Sequence, residues 1–222
     1  MSETVELTTS DGHTLDAYVA RPQGPVRAAL IVIQEVFGVN AHIRSVADRF
    51  AKHGFLAIAP ALFDRIEKHV ELSYEGEDRQ RAFALMPRLD FEKALLDVEA
   101  AIEYGSRETG KPALVVGYCF GGTIAWLSAT RLHPAAAVGY YGGNIAKFNE
   151  EKPRVPVILH FGREDSHIPL EDVDKIAKAH PEVQVFTYPA GHGFSCDARS
   201  SYEPKSAAEA FERTLTFLNQ NS

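Results

Sequence analysis

The chain contains 222 residues, of which 45% are hydrophobic and 24% are charged. These ordinary globular values exclude the disordered and fibrous classes. The net charge of −7 argues against nucleic acid as a partner, because nucleic-acid-binding surfaces are normally basic. Two cysteines are too few for a disulfide framework, and neither a signal-peptide pattern nor a long apolar span is present. We therefore expect one cytoplasmic domain over residues 1–222, with no membrane partner.

Short apolar runs and longer amphipathic segments alternate along the chain. The first two predicted strands, 4–9 and 14–20, flank the turn Asp11-Gly12 and together suggest a hairpin. The next run, 28–33, is almost entirely apolar, as expected for a strand covered on both faces. Further strands are predicted at 55–58, 113–116, 136–140, 155–160 and 183–188, and helices at 41–52, 91–104, 123–131, 170–179 and 206–219.

This alternation of strands and helices predicts an α/β fold. Right-handed βαβ units give a mostly parallel central sheet with helices on both faces. In such a sheet, ligands bind beyond the carboxyl ends of the strands. Each motif described below follows a predicted strand, so we expect the functional site at that edge.

The segment GYCFGG at 117–122 directly follows a predicted strand and has the pattern of a sharp strand-to-helix turn. Such a turn lifts residue 119 out of the sheet. Any side chain larger than hydrogen at Gly117 or Gly121 would crowd the neighbouring backbone. The usual nucleophile at this turn is serine, whereas here it is Cys119. The amino end of the following helix would favour its thiolate.

Asp165 and His192 follow the predicted strands 155–160 and 183–188. The chain order nucleophile, acid, histidine is that of the α/β-hydrolase fold and differs from the order in other triad folds. His192 is predicted to take the thiol proton and later to protonate the leaving group. Asp165 is predicted to hold the imidazole tautomer and to stabilise its cation. Cys119 would attack a carbonyl carbon and form a thioester, which water then cleaves.

Each of these assignments has an alternative. A free cysteine is most often a buried small hydrophobe, although this does not explain the glycines around Cys119. Glu164 competes with Asp165 as the acid, and Asp165 could instead cap the following helix. His167 is the rival to His192, but it lies too close to Asp165 along the chain for the usual pairing. No spacing of His, Asp or Glu indicates a metal site, and no cofactor is expected.

The segment QEVFGVN at 34–40 follows the predicted strand 28–33. In this fold that loop supplies a backbone N–H to the oxyanion hole, so Val36 and Phe120 are the predicted donors. Glu35 brings a carboxylate close to the predicted nucleophile. It could hold the thiol proton in the resting state, pair with an arginine, or be a surface acid at a strand end.

The chain resembles the dienelactone hydrolase family, also called carboxymethylenebutenolidases. The resemblance extends over roughly residues 8–218, with the same order and spacing. The resemblance is specific, because a cysteine in the strand-to-helix turn at 117–122 (the elbow) combined with QE-x-FGVN is unusual among α/β-hydrolases. The matching runs are QEVFGVN at 34–40, APALFDR at 59–65, DRQRA at 78–82, GYCFGG at 117–122, AVGYYG at 137–142, HFGREDSHIP at 160–169 and AGHGF at 190–194.

The resemblance implies roles for several residues. Cys119, Asp165 and His192 correspond to the family's catalytic triad. Glu35 corresponds to an acid that pairs with the cysteine until substrate displaces it, and Tyr140 corresponds to a pocket tyrosine.

The namesake enzymes open an unsaturated cyclic ester whose carboxylate is held by arginines. Arg81 matches the first of these arginines. Cys196 stands where a second would be expected, and Arg199, three residues later, could substitute for it. Leu85 and Arg88 stand where bulky aromatics would be expected. Two arginines give bidentate, charge-assisted anchoring, so the loss of one should reduce selectivity for anionic substrates.

Two of these assignments also have plainer interpretations. Arg81, together with Arg79, could lie on a solvated helix face in a segment rich in Glu and Arg. Cys196 could simply pack in the interior or form a neutral pocket wall. Alternatively, its thiol could react with Cys119 under oxidation.

Together these features predict a cysteine-dependent hydrolase of a small ester or lactone, which can be anionic. A broader carboxylesterase or thioesterase for small acyl compounds is a second hypothesis, suggested by the altered arginine positions. A non-hydrolytic thiol redox or binding protein on the same fold is a third, and the intact polar triad disfavours it. We expect a monomer or a small homo-oligomer.

Overall fold

The central feature of the fold is an eight-stranded sheet with the strand order β1-β2-β4-β3-β5-β6-β7-β8. The structure is a computed structural model that describes residues 2–222. Met1, the first residue of the predicted domain, lies outside the described residues. Antiparallel pairing joins β1 to β2 and β2 to β4, and all other neighbouring strands are parallel. The strands are β1 (Ser2–Thr8), β2 (Thr14–Ala20), β3 (Ala29–Ile33), β4 (Leu56–Pro60), β5 (Leu114–Tyr118), β6 (Ala137–Tyr140), β7 (Val157–Gly162) and β8 (Gln184–Tyr188).

Helices connect the parallel strands. The α-helices are α1 (Ala41–Lys52), α2 (Gly76–Leu85), α3 (Phe91–Thr109), α4 (Phe120–Arg131), α5 (Leu170–Ala179) and α6 (Pro204–Gln220). Within residues 2–222, none of these helices combines the length and the apolar character needed to cross a membrane.

The helices cover both faces of the sheet. In β6, Gly139 lies against Gly122 of α4, whereas the next residue, Tyr140, bonds to Thr214 of α6. Successive residues of a strand point to opposite faces, so α4 and α6 lie on opposite sides. Contacts between aromatic rings place α1 beside α6 and α3 beside α4, through Phe50–Phe211 and Phe91–Phe120. The predicted α/β-hydrolase architecture is therefore confirmed.

Burial explains why the predicted strands form the centre of this sheet. All residues of β3, β4, β5, β6 and β7 are buried. Each fully buried Val, Leu or Ile side chain contributes about 1.5–3 kcal/mol relative to exposure. The loops at the carboxyl ends of these strands are therefore attached to the most rigid part of the molecule.

The helix boundaries agree with the predictions for α1 and α5 and differ elsewhere. Helix α4 begins at Phe120 rather than at residue 123, because the pair Gly121-Gly122 weakens the helical signal but is required for packing. Helix α3 continues to Thr109 and ends at Gly110 in a left-handed conformation. The sequence analysis did not assign α2 as a helix, because it buries only Ala82 and Leu85 and so has little amphipathic pattern.

A buried polar network joins α6 to the sheet. His160 of β7 contacts the Tyr188 hydroxyl through Nδ1 at 2.9 Å and Thr214 Oγ1 through Nε2 at 3.1 Å. Thr214 also bonds to the Tyr140 hydroxyl at 2.6 Å, and Arg213 donates to the Tyr188 hydroxyl at 3.0 Å. Burial, assisted by the charge of Arg213, lowers the pKa of His160 to about 3. The imidazole is therefore neutral in the folded protein.

This depressed pKa predicts a loss of stability in mild acid. As the pH falls from the unfolded value of 6.5 towards about 3, the unfolded chain binds a proton that the folded chain excludes. The free energy of unfolding then falls by up to about 1.4 kcal/mol for each pH unit. His160→Asn should flatten this part of the stability profile, measured by urea unfolding between pH 4 and pH 7. His133, which is exposed, provides the control: His133→Asn should keep the wild-type profile. Identical profiles for the two variants would contradict the assignment.

Candidate active site

Cys119 lies between β5 and α4 in a strained backbone conformation, with φ 55° and ψ −115°. A non-glycine residue at positive φ costs about 1–3 kcal/mol, so the surrounding structure must hold it. Two backbone bonds do so: Cys119 N–H donates to Tyr140 O at 3.0 Å, and Gly121 N–H donates to Gln34 O at 3.1 Å. Cys119 as a whole is partly exposed.

The glycines around Cys119 are required by close backbone approach. A Cβ atom on Gly117 would lie 1.9 Å from Gly121 O, and one on Gly121 would lie 2.5 Å from Ile33 O. Both distances are far below any real carbon contact. The crowding predicted from the sequence is therefore confirmed.

The structure brings the three predicted residues into one hydrogen-bonded row. His192 Nε2 lies 3.2 Å from Cys119 Sγ, and His192 Nδ1 lies 2.7 Å from Asp165 Oδ2. The other carboxylate oxygen, Asp165 Oδ1, accepts the backbone N–H of His167 at 2.8 Å. The Asp165 carboxylate is fully buried, and its two oxygens are bonded in different directions, so its orientation is determined.

The surroundings of His192 favour its cationic form. Burial by itself lowers the pKa of this imidazole. The hydrogen bond to Asp165, the hydrogen bond to Cys119 and the charges of both residues outweigh burial and raise the pKa to about 10. An imidazolium held against a thiol sulfur stabilises the thiolate. His192 can therefore hold a proton close to the Cys119 sulfur at neutral pH.

The competing residues lie at the margin of this row. Glu164 is exposed, and His192 bonds to Asp165 instead. The exposed ring of His167 lies edge-on to that of His192, with 5.1 Å between the centroids. It has no hydrogen bond to His192.

The two predicted oxyanion donors lie on neighbouring loops. Phe120 is the first residue of α4, so its N–H is one of the helix's unpaired amino-terminal donors. Val36 lies in the loop after β3. The bond from Gly121 N–H to Gln34 O ties these two loops together beside Cys119.

Glu35 is paired with an arginine and not with the thiol. Its side chain is fully buried, and Oε1 accepts a bond from Arg199 Nη1 at 3.3 Å. Its Oε2 is buried without a hydrogen-bond partner. The expectation that Glu35 is the resting partner of Cys119 is corrected here, because the sulfur is bonded to His192. The arginine pairing is the alternative that the sequence left open.

The guanidinium of Arg199 packs directly against Gly193. Gly193 has φ +75°, and a Cβ atom there would lie 2.5 Å from Arg199 Nη1. The guanidinium also lies over the rings of Phe37 and Tyr74, at 5.9 Å and 5.6 Å from their centroids. These cation–π contacts help to hold a charge that is largely removed from water.

Arg81 does not face the site, which corrects the prediction for this residue. Its guanidinium bonds to Glu67, and both side chains are about half exposed. Arg79 lines the cavity instead. Side chains that are two residues apart on a helix lie about 200° apart around its axis, so only one of these two arginines can face the cavity. The sequence motif contained both arginines, but the predicted fold lacked the helix that orients them.

Tyr140 is also corrected, from a pocket residue to a core residue. It is only 1% exposed, and its hydroxyl bonds to Thr214 beneath the sheet. Cys196 is fully buried as well. Burial and the charge of Glu35 raise the pKa of its thiol to about 12, and a hydrogen bond with Tyr74 opposes them only weakly. The thiol is therefore protonated and unreactive at neutral pH.

A cavity of about 540 Å³ opens in front of His192. It is lined by residues of both charges, including Arg79, Arg199, His167, Glu75 and Glu164. A larger groove of about 1040 Å³ lies near Ala20, at the opposite edge of the sheet, and contains none of the predicted site residues.

The fold and this row of residues define the chain as an α/β-hydrolase. The family model described as "Dienelactone hydrolase family" matches residues 15–222. The carboxymethylenebutenolidase of Pseudomonas putida is 35% identical over 228 residues, covering 98% of this chain and 96% of that protein. Carboxymethylenebutenolidase 1 of Cupriavidus pinatubonensis is 30% identical, covering 98% and 97%.

Solved structures agree with this similarity. A Klebsiella pneumoniae protein described as "Putative Dienelactone Hydrolase" superposes with a TM-score of 0.81 at 30% identity, covering 99% of both chains. An esterase of Pyrococcus furiosus shares the fold alone, with a TM-score of 0.73 at 16% identity and coverage of 99% and 91%. The chain belongs to the dienelactone hydrolase family, and it is a hydrolase that acts on ester or lactone bonds.

Because the backbone at Gly121 lies against the loop after β3, we predict that alanine destabilises the protein at this position and not at a glycine with open space around it. Gly121→Ala would place a Cβ atom against backbone atoms of Ile33 and Gln34, and backbone atoms cannot move aside as a flexible side chain can. We expect a loss of at least about 1–3 kcal/mol in the free energy of unfolding, as for other overpacked sites. Gly143→Ala is the matched control, because its nearest neighbour would be a side-chain carbon at 4.0 Å. Equal urea midpoints for the two variants would contradict this geometry.

Proposed function

We propose that this protein hydrolyses a small ester or lactone through a covalent thioester on Cys119. The observation that carries the proposal is His192, which bridges Cys119 Sγ at 3.2 Å and Asp165 Oδ2 at 2.7 Å. A nucleophile, a base and an orienting acid in hydrogen-bond contact form the geometric signature of covalent catalysis.

In the first half of the proposed reaction, the Cys119 thiolate attacks the substrate carbonyl carbon. A C–S bond forms, and the carbonyl π electrons move to oxygen to give a tetrahedral oxyanion. When the oxyanion collapses, the C–O bond breaks and the alkoxide leaves. His192 donates its proton to that alkoxide and becomes neutral. The product of this half-reaction is a thioester, and a lactone substrate stays attached through it.

In the second half, neutral His192 takes a proton from water as the water oxygen attacks the thioester carbonyl. The new tetrahedral intermediate expels the Cys119 thiolate and releases the acid. Asp165 keeps its hydrogen bond to His192 Nδ1 and stabilises the imidazolium when His192 carries the proton.

The backbone N–H groups of Val36 and Phe120 are proposed to stabilise the oxyanion. The Phe120 donor benefits from its position at the first turn of α4, where the helix dipole favours negative charge. Losing one such donor typically costs about 10²–10³ in kcat.

Arg79 and Arg199 are proposed to contact an anionic group of the substrate. Both line the cavity that His192 also lines, and they come from different segments, α2 and the loop before α6. Arg199 already pairs with Glu35, so a second anion would share it. We propose that Glu35 keeps the Arg199 guanidinium in place and balances its charge.

A broader esterase or thioesterase activity is a second candidate. The observation that favours it is the position of Arg81, which points away from the cavity, together with the acidic residues Glu75 and Glu164 in the cavity lining. Such a mixed lining discriminates weakly between neutral and anionic esters. Activity towards dienelactones, simple aryl esters and acyl thioesters, compared as kcat/KM, separates the two candidates.

The proposed nucleophile predicts that the two cysteines differ completely in function. Cys119→Ala and His192→Ala should each reduce ester hydrolysis by at least about 10³-fold, since triad members act as a unit. Cys196→Ala is the control and should retain activity, because that thiol is buried and protonated. Mass spectrometry of rapidly quenched wild-type enzyme should show the acyl group on Cys119. Full hydrolysis by Cys119→Ala would disprove the assignment. If neither the wild type nor any variant hydrolysed esters, and the wild type responded to peroxide through Cys119, the redox-sensor hypothesis would be favoured.

The two arginines of α2 predict opposite results. Arg79→Gln should raise KM about tenfold for an ester bearing a carboxylate, the factor that corresponds to one weakened charge-assisted bond, and should leave a neutral aryl ester unchanged. Arg81→Gln should leave both KM values unchanged, because Arg81 is exposed and bonded to Glu67. An equal effect of both substitutions, or an equal effect on both substrates, would contradict the proposed anion contact.

A further inference from the structure

Tyr141 has no role in the reaction described so far, yet its conformation is unusual. Its side chain is fully buried, and its backbone has φ 38°, in the left-handed region that a bulky residue rarely adopts. Within residues 2–222, only His69 and Cys119 are other non-glycine residues with positive φ. Tyr141 therefore shares its backbone strain with the proposed nucleophile, and strain of this kind concentrates at functional sites.

The backbone around Tyr141 connects the strands that carry Cys119 and Asp165. The preceding carbonyl, Tyr140 O, accepts the N–H of Cys119 at 3.0 Å. The N–H of Tyr141 itself donates to His160 O in β7 at 2.7 Å, and β7 leads directly into the loop of Asp165. Residue 141 thus lies at the meeting point of two of the three triad segments.

The side chain of Tyr141 contacts the third segment. Its ring packs against the imidazole of His192, with 5.1 Å between the centroids and a tilt of 59°. The same ring packs edge-on to Phe194 at 5.5 Å. Its hydroxyl is hydrogen-bonded to Ser195 Oγ at 2.8 Å. Two contacts and one hydrogen bond therefore fasten the loop 192–195 to the end of β6.

Other contacts also hold this loop: the His192 ring bonds to Asp165 at 2.7 Å, and Glu164 N–H donates to Ala190 O at 3.0 Å just before it. The bond from Cys196 N–H to Gly193 O at 2.9 Å closes a turn within the loop, and Glu203 N–H donates to Phe194 O at 3.0 Å. Neither bond fixes the distance between the imidazole and β5. The Tyr141 side chain adds a direct link, because the preceding Tyr140 carbonyl bonds to Cys119 N–H while the Tyr141 ring and hydroxyl contact the His192 loop.

We propose that Tyr141, acting with Ser195, is a positioning residue that sets the separation of His192 from Cys119. The proposal rests on the proposed function of these two residues. A hydrogen bond between imidazole and sulfur weakens steeply with misalignment, so a small shift of the loop weakens the contact through which His192 and Cys119 exchange a proton. In this proposal Tyr141 acts on the reaction through the placement of His192, against which its ring packs.

The test compares Tyr141→Phe with Tyr140→Phe. Each substitution removes one buried hydroxyl from neighbouring residues, but the Tyr140 hydroxyl bonds to Thr214 on the opposite face of the sheet. Tyr141→Phe and Ser195→Ala should each lower kcat about fivefold with little change in KM, the factor that corresponds to one net hydrogen bond. The double variant should be no worse than either single variant, because both lose the same bond. Tyr140→Phe should keep the wild-type kcat.

A second measurement separates positioning from general loss of stability. The ¹⁵N chemical shifts of the His192 imidazole, followed against pH, should show a lower pKa in Tyr141→Phe and Ser195→Ala and no change in Tyr140→Phe. Equal behaviour of Tyr141→Phe and Tyr140→Phe in both kcat and titration would overturn the proposal.

The outcome also distinguishes this proposal from the proposed function. Hydrolysis that survives Cys119→Ala would refute the thioester mechanism, while the His192 titration would still decide whether Tyr141 positions the imidazole. If Cys119→Ala abolishes hydrolysis and the Tyr141 variant matches its control, only the positioning role is refuted.

Discussion

The site depends on one steric constraint, the contact between the backbone of the elbow and the backbone of the β3 loop. Gly121 lies so close to Ile33 and Gln34 that a Cβ atom would overlap their carbonyl oxygens. The same approach allows Gly121 N–H to bond to Gln34 O and brings the loop with Val36 beside Cys119. The strained φ of Cys119, the start of α4 and the placement of both proposed oxyanion donors all follow from this contact.

Charge is arranged around the thiol in two separate pairs. His192 is held between Asp165 and Cys119, and the partners of the imidazole outweigh the cost of its burial. Glu35 and Arg199 form the second pair, with the guanidinium over two aromatic rings. A buried carboxylate without a partner would be strongly destabilising, so Arg199 is needed for Glu35 as much as for any ligand. The arginine stands at position 199 and not at position 196, where the family resemblance places it, yet it still reaches Glu35 and compensates the charge of that carboxylate.

The sequence predicted most of the fold and the central row of the site. Nearly unbroken apolar runs identified the buried strands, and helical periodicity gave α1 and α5 to the residue. The predictions for Arg81, Tyr140 and Glu35 depended on which way a side chain points. Arg79 and Arg81, two residues apart on α2, point to different sides of the helix, and the neighbours Tyr140 and Tyr141 point to different sides of the sheet. The sequence analysis did not resolve either difference. An unassigned α2, with its weak amphipathic pattern, left the two arginines indistinguishable.

The sequence by itself determined the elbow, the order of Cys119, Asp165 and His192, and the membership of an α/β architecture. These features are local: glycine at set positions and apolar runs at set intervals dictate the same backbone wherever they occur. Only the tertiary structure decided that Glu35 pairs with Arg199, that Arg79 faces the cavity, and that Tyr141 supports His192. Those contacts join residues that are distant in the chain, such as Glu35 and Arg199, and distances between such side chains are set by packing rather than by local pattern.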